Sequence, residues 1–104
     1  MINYSIVEKG NDSLEVWIEG DIDIDSTEEF DEHLVPLMEK HRSVTLSLQD
    51  VPFVDSSGIG VLLNTVRNLN DKGIAISIRN VQKEVMEVFE LLEIPEILGR
   101  NVLG

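Results

Sequence analysis

The chain has 104 residues, a length typical of one domain with a modest core. Its formal net charge of -12, from 20 acidic and 8 basic residues, argues against binding to nucleic acids or anionic membranes, which require a basic face. The charge is explained most simply by solubility, and it also suits a protein partner with a basic face. There is no cysteine for a disulfide or thiolate, and no membrane-length apolar run or N-terminal signal pattern, so a cytoplasmic location is expected.

The first part of the chain predicts a hairpin followed by a helix. Two short β-prone runs, YSIV (4–7) and LEVWIEG (14–20), flank the turn-forming residues KGNDS, which predicts a β-hairpin. From Ser26 the apolar spacing becomes helical, and Ser26 and Glu29 have the spacing of a capping box. Pro36 falls inside this helical pattern, where it is expected to remove a backbone hydrogen bond or to kink the helix.

The rest of the chain alternates strand and helix patterns. VTLSL (44–48) and IAISI (74–78) alternate apolar and polar residues as strands do, whereas GIGVLLNTVRNL (58–69) and VQKEVMEVFELL (81–92) have helical periodicity. Alternating strands and helices imply crossover connections between parallel strands. We therefore predict one α/β domain over residues 1–104, with packed helices and a mixed, mostly parallel sheet that begins with the hairpin.

The segment DIDIDSTEEFDE resembles a calcium-binding loop in its spacing. Asp21, Asp23, Asp25 and Glu32 occupy the first, third, fifth and twelfth positions of an EF-hand loop. The sixth position, however, holds Ser26 instead of the glycine that the sharp turn requires, and the preceding segment is a predicted strand instead of a helix. A solvated strand-to-helix loop explains these acids better, and no metal site is predicted.

Two other chemical interpretations of the segment DSSGIG lack necessary residues. A dinucleotide-binding fingerprint would need a third glycine where Leu63 stands, so the glycines are better explained by close packing of a helix start against the sheet. A serine nucleophile at Ser56 or Ser57 would need a nearby base, but the two histidines, His33 and His41, both fall on the first predicted helix.

What remains is a serine that could be modified at a helix N-terminus. Asp55 or Ser56 can cap the helix that follows, and plain capping is the simplest role for either residue. The glycines after the serines leave backbone amides accessible. A phosphate on Ser56 would therefore meet free amides and the positive end of the helix dipole.

The arrangement of these motifs resembles a known family. DSSGIGVL, preceded by VTLSLQDVPFV and earlier by WIEGDIDIDS, is similar to the STAS-domain anti-sigma-factor antagonists of bacteria, and NVQKEVMEVFELLEIPEIL extends the likeness almost to the end of the chain. The resemblance implies a STAS-like fold. It also implies that Ser56 is phosphorylated by an anti-sigma factor that is itself an ATP-dependent serine kinase, with Ser57 at the neighbouring hydroxyl position.

The same resemblance implies a partner switch in bacterial transcription, of the kind that serves stress responses or sporulation. The unphosphorylated protein binds the kinase, which releases a sigma factor; phosphorylation breaks this complex, and a serine phosphatase restores it. The protein is then not an enzyme, needs no cofactor and binds neither nucleic acid nor membrane. The residues expected to contact the partner are Asp21, Asp23, Asp55, Ser57, Gly58, Ile59 and Gly60.

Two alternatives stay open at this point. The chain could be a STAS module of a partner-switching circuit that controls something other than a sigma factor. It could also be a small enzyme that uses Ser56 or the acidic loop before the first helix, which contains Asp21, Asp23 and Asp25. The sequence, however, supplies no base or cofactor motif for such chemistry.

Overall fold

The structure is a computed structural model that describes residues 2–99 and 101–103. Its strands are β1 (Asn3–Lys9), β2 (Ser13–Glu19), β3 (Ser43–Asp50) and β4 (Ala75–Arg79). Its helices are α1 (Ser26–Glu29), α2 (Val35–Met38), α3 (Ser56–Asp71), α4 (Lys83–Leu91) and α5 (Ile94–Leu98), and a π-helical segment, Phe30–Leu34, joins α1 to α2.

The strands form one sheet in the order β1-β2-β3-β4. β1 and β2 are antiparallel and form the predicted hairpin, whose turn uses Asn11 and Asp12 at φ values of 64° and 60°. Asparagine and aspartate tolerate this left-handed conformation better than most residues do. β3 pairs in parallel with both β2 and β4, so the predicted mixed, mostly parallel sheet is confirmed.

One face of the sheet carries the core and the other is polar. The strand residues on the core face pack with the helices in a single hydrophobic cluster, and they are Leu14, Val16, Ile18, Val44, Leu46, Leu48, Ile76 and Ile78. The opposite face has hydroxyl pairs between neighbouring strands, including Ser13 Oγ to Ser43 Oγ at 2.6 Å. This alternation explains why the strands were recognisable from sequence.

Pro36 is accommodated by the π-helical segment. The backbone N–H of Val35 donates to the carbonyl of Phe30, five residues earlier, directly before the proline. A proline ring normally clashes with the carbonyl four residues before it, and a widened turn relieves that clash. The helical path continues on both sides, so the proline produces a local π-bulge and does not end the helix.

The two later helices differ in how well their apolar stripes are covered. α3 buries Leu62, Val66 and Leu69 and ends before Gly73, whose φ of 75° suits the predicted stop. α4 buries Val85 and Phe89, but Leu92, predicted on the same stripe, lies beyond the helix and is 49% exposed. No helix within the described residues is long and apolar enough to cross a membrane.

The two edges of the sheet are treated differently. Beside β4, the backbone N–H of Ile78 donates to the carbonyl of Val102 at 2.6 Å, and Leu103 forms a parallel bridge with Ile78. On the other edge, every residue of β1 is exposed.

Candidate functional site at the start of helix α3

Asp55, and not Ser56, caps helix α3. Asp55 has extended backbone angles, and its carboxylate accepts a hydrogen bond from the backbone N–H of Gly58 at 2.8 Å. Its carbonyl accepts the first helical bond from the N–H of Ile59 at 2.9 Å. Because the aspartate satisfies the cap, the hydroxyl of Ser56 is not needed for it. Ser56 and Ser57 occupy the first helical turn, and both are exposed.

The acidic loop lies against this junction through Ile22. The N–H of Ile22 donates to the carbonyl of Phe53 at 3.0 Å, and the carbonyl of Ile22 accepts from the N–H of Asp55 at 3.3 Å. Ile22 also forms a parallel bridge with Val54. The carboxyl ends of parallel strands meet at one edge of a sheet. Here the backbone pairing of Ile22 brings Asp21 and Asp23, on either side of it, next to the segment that leads into the serines.

Gly58 makes the contact between loop and helix possible. A Cβ atom at this position would lie 2.0 Å from the carbonyl oxygen of Ile22, which is a backbone atom without freedom to move aside. Gly60, two residues later, has no atom within 4 Å of the corresponding position. The two glycines therefore differ in role, because Gly58 is required for close packing and Gly60 is not.

Ser26 holds the acidic loop from inside. Its hydroxyl accepts a hydrogen bond from the N–H of Asp23 at 3.1 Å and donates to the carbonyl of Asp21 at 3.4 Å, and the residue is fully buried. The predicted capping box is wrong, because Asp25 is the N-cap residue and Ser26 faces the loop instead of the helix. Asp23 also accepts from the N–H of Asp25 at 3.0 Å, which shapes the loop further.

Comparison with known proteins places this arrangement in a family. A family model described as the STAS domain matches residues 4–102. The chain belongs to the STAS domain family. Over 97 residues it is 30% identical to the anti-sigma-B factor antagonist of Bacillus subtilis (strain 168), covering 93% of this chain and 88% of that protein.

Solved structures confirm the STAS-like fold. The anti-sigma factor antagonist SpoIIAA in its unphosphorylated form has a TM-score of 0.66 at 16% identity, over 86% of this chain and 83% of that one. The phosphorylated form of SpoIIAA, from Bacillus, has a TM-score of 0.69 at 14% identity, over 98% of this chain and 89% of that one. A sulfate transporter family protein from Wolinella succinogenes has a TM-score of 0.79 at 14% identity, over 93% of this chain and 80% of that one. The fold alone therefore does not choose a function.

The predicted site residues of this STAS domain divide into surface and interior positions. Asp21, Ser56 and Ser57 are exposed, whereas Asp23, Asp55 and Gly60 are partly buried. Gly58 and Ile59 are buried, and Ile59 is 6% exposed. Gly58 and Ile59 are therefore not part of the exposed surface in this conformation, and their contacts with a partner stay predictions. The functional roles of the exposed residues stay predictions.

Sequence reasoning missed several exposed apolar residues, of which Phe53 lies three residues before Ser56. Ile24, Phe53, Val88 and Leu91 are 65%, 52%, 39% and 81% exposed. Phe53 and Val88 line a groove of about 140 Å³ with Pro52, Val54, Glu84 and Val85. The excess of apolar residues off the buried stripe of α4 was the available signal, since Val88 and Leu91 lie on a face separate from Val85 and Phe89.

The histidines have partners away from this junction. His33 Nε2 lies 3.9 Å from a carboxylate oxygen of Glu29, and His41 Nε2 lies 3.7 Å from one of Glu8. His41 Nδ1 is also 3.2 Å from the carbonyl of Leu37 near the end of α2, where a histidine interacts favourably with the last carbonyl groups of a helix. Across residues 2–99 and 101–103, no three His, Cys, Asp or Glu side chains are grouped so as to hold a metal ion.

Proposed function

We propose that this STAS domain is an anti-sigma-factor antagonist switched by phosphorylation of Ser56. Unphosphorylated, it binds a cytoplasmic anti-sigma factor with serine kinase activity and so frees a sigma factor; phosphorylated, it releases that partner, and a serine phosphatase resets it. The observation that carries the proposal is the exposed hydroxyl of Ser56 at a helix start that Asp55 already caps. This serine is available for chemistry without loss of the cap.

The surroundings of Ser56 support binding to another protein. Exposed Phe53 and Val88 provide apolar contact area, and Asp21 and Asp23 provide negative charge near it. Interfaces commonly combine an apolar centre with a charged rim, and a basic partner would be attracted by the net charge of -12. The role follows the name of the relative from Bacillus subtilis, an anti-sigma-B factor antagonist.

A phosphate on Ser56 would change this surface strongly. It would add a charge of about -1.5 to -2 with three acceptor oxygens, at a site that already holds the Asp55 carboxylate and adjoins the acidic loop. The amides at the start of the 16-residue helix α3 and the positive end of its dipole would stabilise the modified side chain. Partner release then needs only the added bulk and the cost of desolvating a charged phosphate at the contact surface. SpoIIAA, with the same fold, has been solved both with and without its phosphate.

On this proposal the protein is a substrate and a binding module, and not a catalyst. ATP belongs to the kinase partner, and the chain needs no cofactor of its own. The alternative circuit, in which the kinase partner controls something other than a sigma factor, is distinguished by identifying the proteins that co-purify with the tagged domain.

The decisive experiment combines mass spectrometry with binding. Wild type, Ser56→Ala, Ser57→Ala and Ser56→Asp are incubated with ATP and the candidate anti-sigma factor, the phosphosite is mapped, and partner affinity is measured for each. We expect one phosphate on Ser56 in wild type and Ser57→Ala, none in Ser56→Ala, and weaker binding of Ser56→Asp. Phosphate on Ser57 alone, or equal affinity of wild type and Ser56→Asp, would contradict the proposal.

A further inference from the structure

Strand β1 leaves one edge of the sheet open. All seven of its residues are exposed, and among the described residues it pairs with β2 alone. The pairing runs without a shift from Asn3 opposite Glu19 to Lys9 opposite Ser13, so β1 is a regular strand. About half of the backbone N–H and C=O groups of such a strand point away from its neighbour, and they form a template for a further strand.

This edge also lacks the usual protection against further pairing. Residues 3–7, NYSIV, contain no charge and no proline, and Glu8 and Lys9 stand only at the end of the strand. Tyr4 and Ile6 are 36% and 38% exposed on the core face of the sheet, and Val7 is 43% exposed on the other face. Natural edge strands usually carry lysine, proline or a bulge near their middle.

We propose that this edge binds a second copy of the chain, with the two β1 strands antiparallel about a two-fold axis at Ser5. In this register Tyr4 of each copy lies opposite Ile6 of the other, and Asn3 lies opposite Val7. Cross-strand pairs of an aromatic and a β-branched residue stabilise antiparallel sheets. Because Tyr4 and Ile6 pair with Ile18 and Val16 of β2, the new pairs extend an existing apolar row.

The charges of the strand select this register and this occupant. Glu8 and Lys9 lie outside the paired segment, whereas a register centred on Ile6 would place Tyr4 opposite Glu8. A two-fold axis makes the segment complementary to itself, which an unrelated peptide has no reason to be. Each copy carries a net charge of -12, so the copies repel each other at long range and association should strengthen as salt screens that repulsion.

The first test is the oligomeric state of the full chain by sedimentation equilibrium, from micromolar to millimolar concentration, at low and high salt. We expect a monomer–dimer equilibrium that shifts toward dimer with salt. Ile6→Lys should remain monomeric, and Ile97→Lys, which makes the same change at a more exposed isoleucine on α5, should dimerise like wild type. Circular dichroism checks that both variants are folded. A monomeric wild type at every concentration, or a dimer that Ile6→Lys leaves intact, overturns the proposal.

The second test reads the register, because the chain has no cysteine of its own. Residues directly opposite in antiparallel strands have Cα atoms about 4.5–5.5 Å apart, within the range of about 4.4–6.8 Å that a disulfide spans. With copper–phenanthroline as oxidant, Ser5→Cys should form a covalent dimer, and Lys9→Cys, far from its symmetry mate, should not. Cross-linking of Lys9→Cys without cross-linking of Ser5→Cys overturns the register.

Discussion

Two helices of the chain begin with the same dipeptide, Asp-Ser, but the serine is buried in one case and exposed in the other. Asp25–Ser26 begins α1 and Asp55–Ser56 begins α3, each after a parallel strand. Ser26 is fully buried, and its hydroxyl binds the backbone on both sides of Ile22. Ser56 is exposed, because the cap is made by the carboxylate before it. One hydroxyl is used by the fold, and the other is free.

The difference shows that the buried serine supports the exposed one. Ser26 fixes the loop that carries Ile22, and Ile22 in turn pairs with the backbone before Ser56 and packs on Gly58. The two junctions therefore form one unit at the carboxyl ends of the strands, held together by backbone contacts. Substitutions should affect stability strongly where they break this unit, and weakly where they change only its exposed hydroxyl.

The largest effect is expected for Gly58→Ala, which breaks the contact between the junctions. The added methyl would lie 2.0 Å from the carbonyl oxygen of Ile22. Overpacking of this kind costs about 3 kcal/mol or more at its upper end, against a gain of about 1 kcal/mol from replacing glycine in a helix. We expect a net loss of about 2 kcal/mol in the free energy of unfolding, measured by urea denaturation.

Gly60→Ala is the matched control for this substitution. It lies in the same helical turn with no atom within 4 Å, so it should be neutral or should stabilise the domain by up to about 1 kcal/mol. Equal stabilities for the two variants would show that Gly58 does not position the acidic loop.

Ser26→Ala should have the next largest effect, because it removes the buried hydroxyl that holds the acidic loop. The N–H of Asp23 and the carbonyl of Asp21 would each lose a partner. Loss of a hydrogen bond of this kind costs about 0.5–1.5 kcal/mol, and exchange of the Asp23 amide with solvent should become faster in hydrogen-exchange measurements. Exposed Ser57→Ala should change stability by less than about 0.5 kcal/mol. A Ser26→Ala protein as stable as Ser57→Ala would contradict the proposed support.

Local sequence patterns predicted the strands and helices of this unit but not the contacts between its two junctions. The hairpin, the alternating strands and the helical pattern of residues 58–69 could be predicted because turn residues and the spacing of apolar residues are local properties; the helix itself, α3, begins two residues earlier, at Ser56. The capping box at Ser26 and Glu29 failed because the Ser26 hydroxyl bonds to the backbone of Asp21 and Asp23, a few residues earlier, and not to the helix. The close contact of Ile22 with Gly58 cannot be predicted from the spacing of residues, because the two positions are far apart in the sequence.

The exposed apolar residues escaped prediction for a related reason. Periodicity identifies a stripe on a helix, but it does not say how much of that helix the rest of the fold covers. In α4 the rest of the fold buries Val85 and Phe89, whereas Val88 and Leu91 stay exposed to solvent. The π-bulge before Pro36 likewise depends on the backbone path, although the sequence correctly marked the proline as a disturbance.

A smaller effect is expected at the residue that frees Ser56 from capping. Asp55→Ala removes the carboxylate that accepts from the N–H of Gly58 and should destabilise the domain by about 1 kcal/mol. Asp55→Asn keeps an acceptor of similar capping strength and should preserve stability. Thermal or urea unfolding of both variants separates the cap from the charge, and equal losses in the two variants would argue against the capping role.

The smallest effect on stability is expected for Ser56→Ala, although it should abolish phosphorylation. Its hydroxyl is exposed and the cap belongs to Asp55, so the free energy of unfolding should change by less than about 0.5 kcal/mol. Ser56→Asp should hold or slightly raise stability, because an anion at a helix start is favoured by about 0.3–1 kcal/mol. Weaker partner binding by Ser56→Asp would then reflect the surface alone, since unfolding would be excluded by the same measurement. If Ser56→Ala were destabilised as much as Ser26→Ala, Ser56 would be a structural serine like its counterpart, and the contrast between the two junctions would disappear.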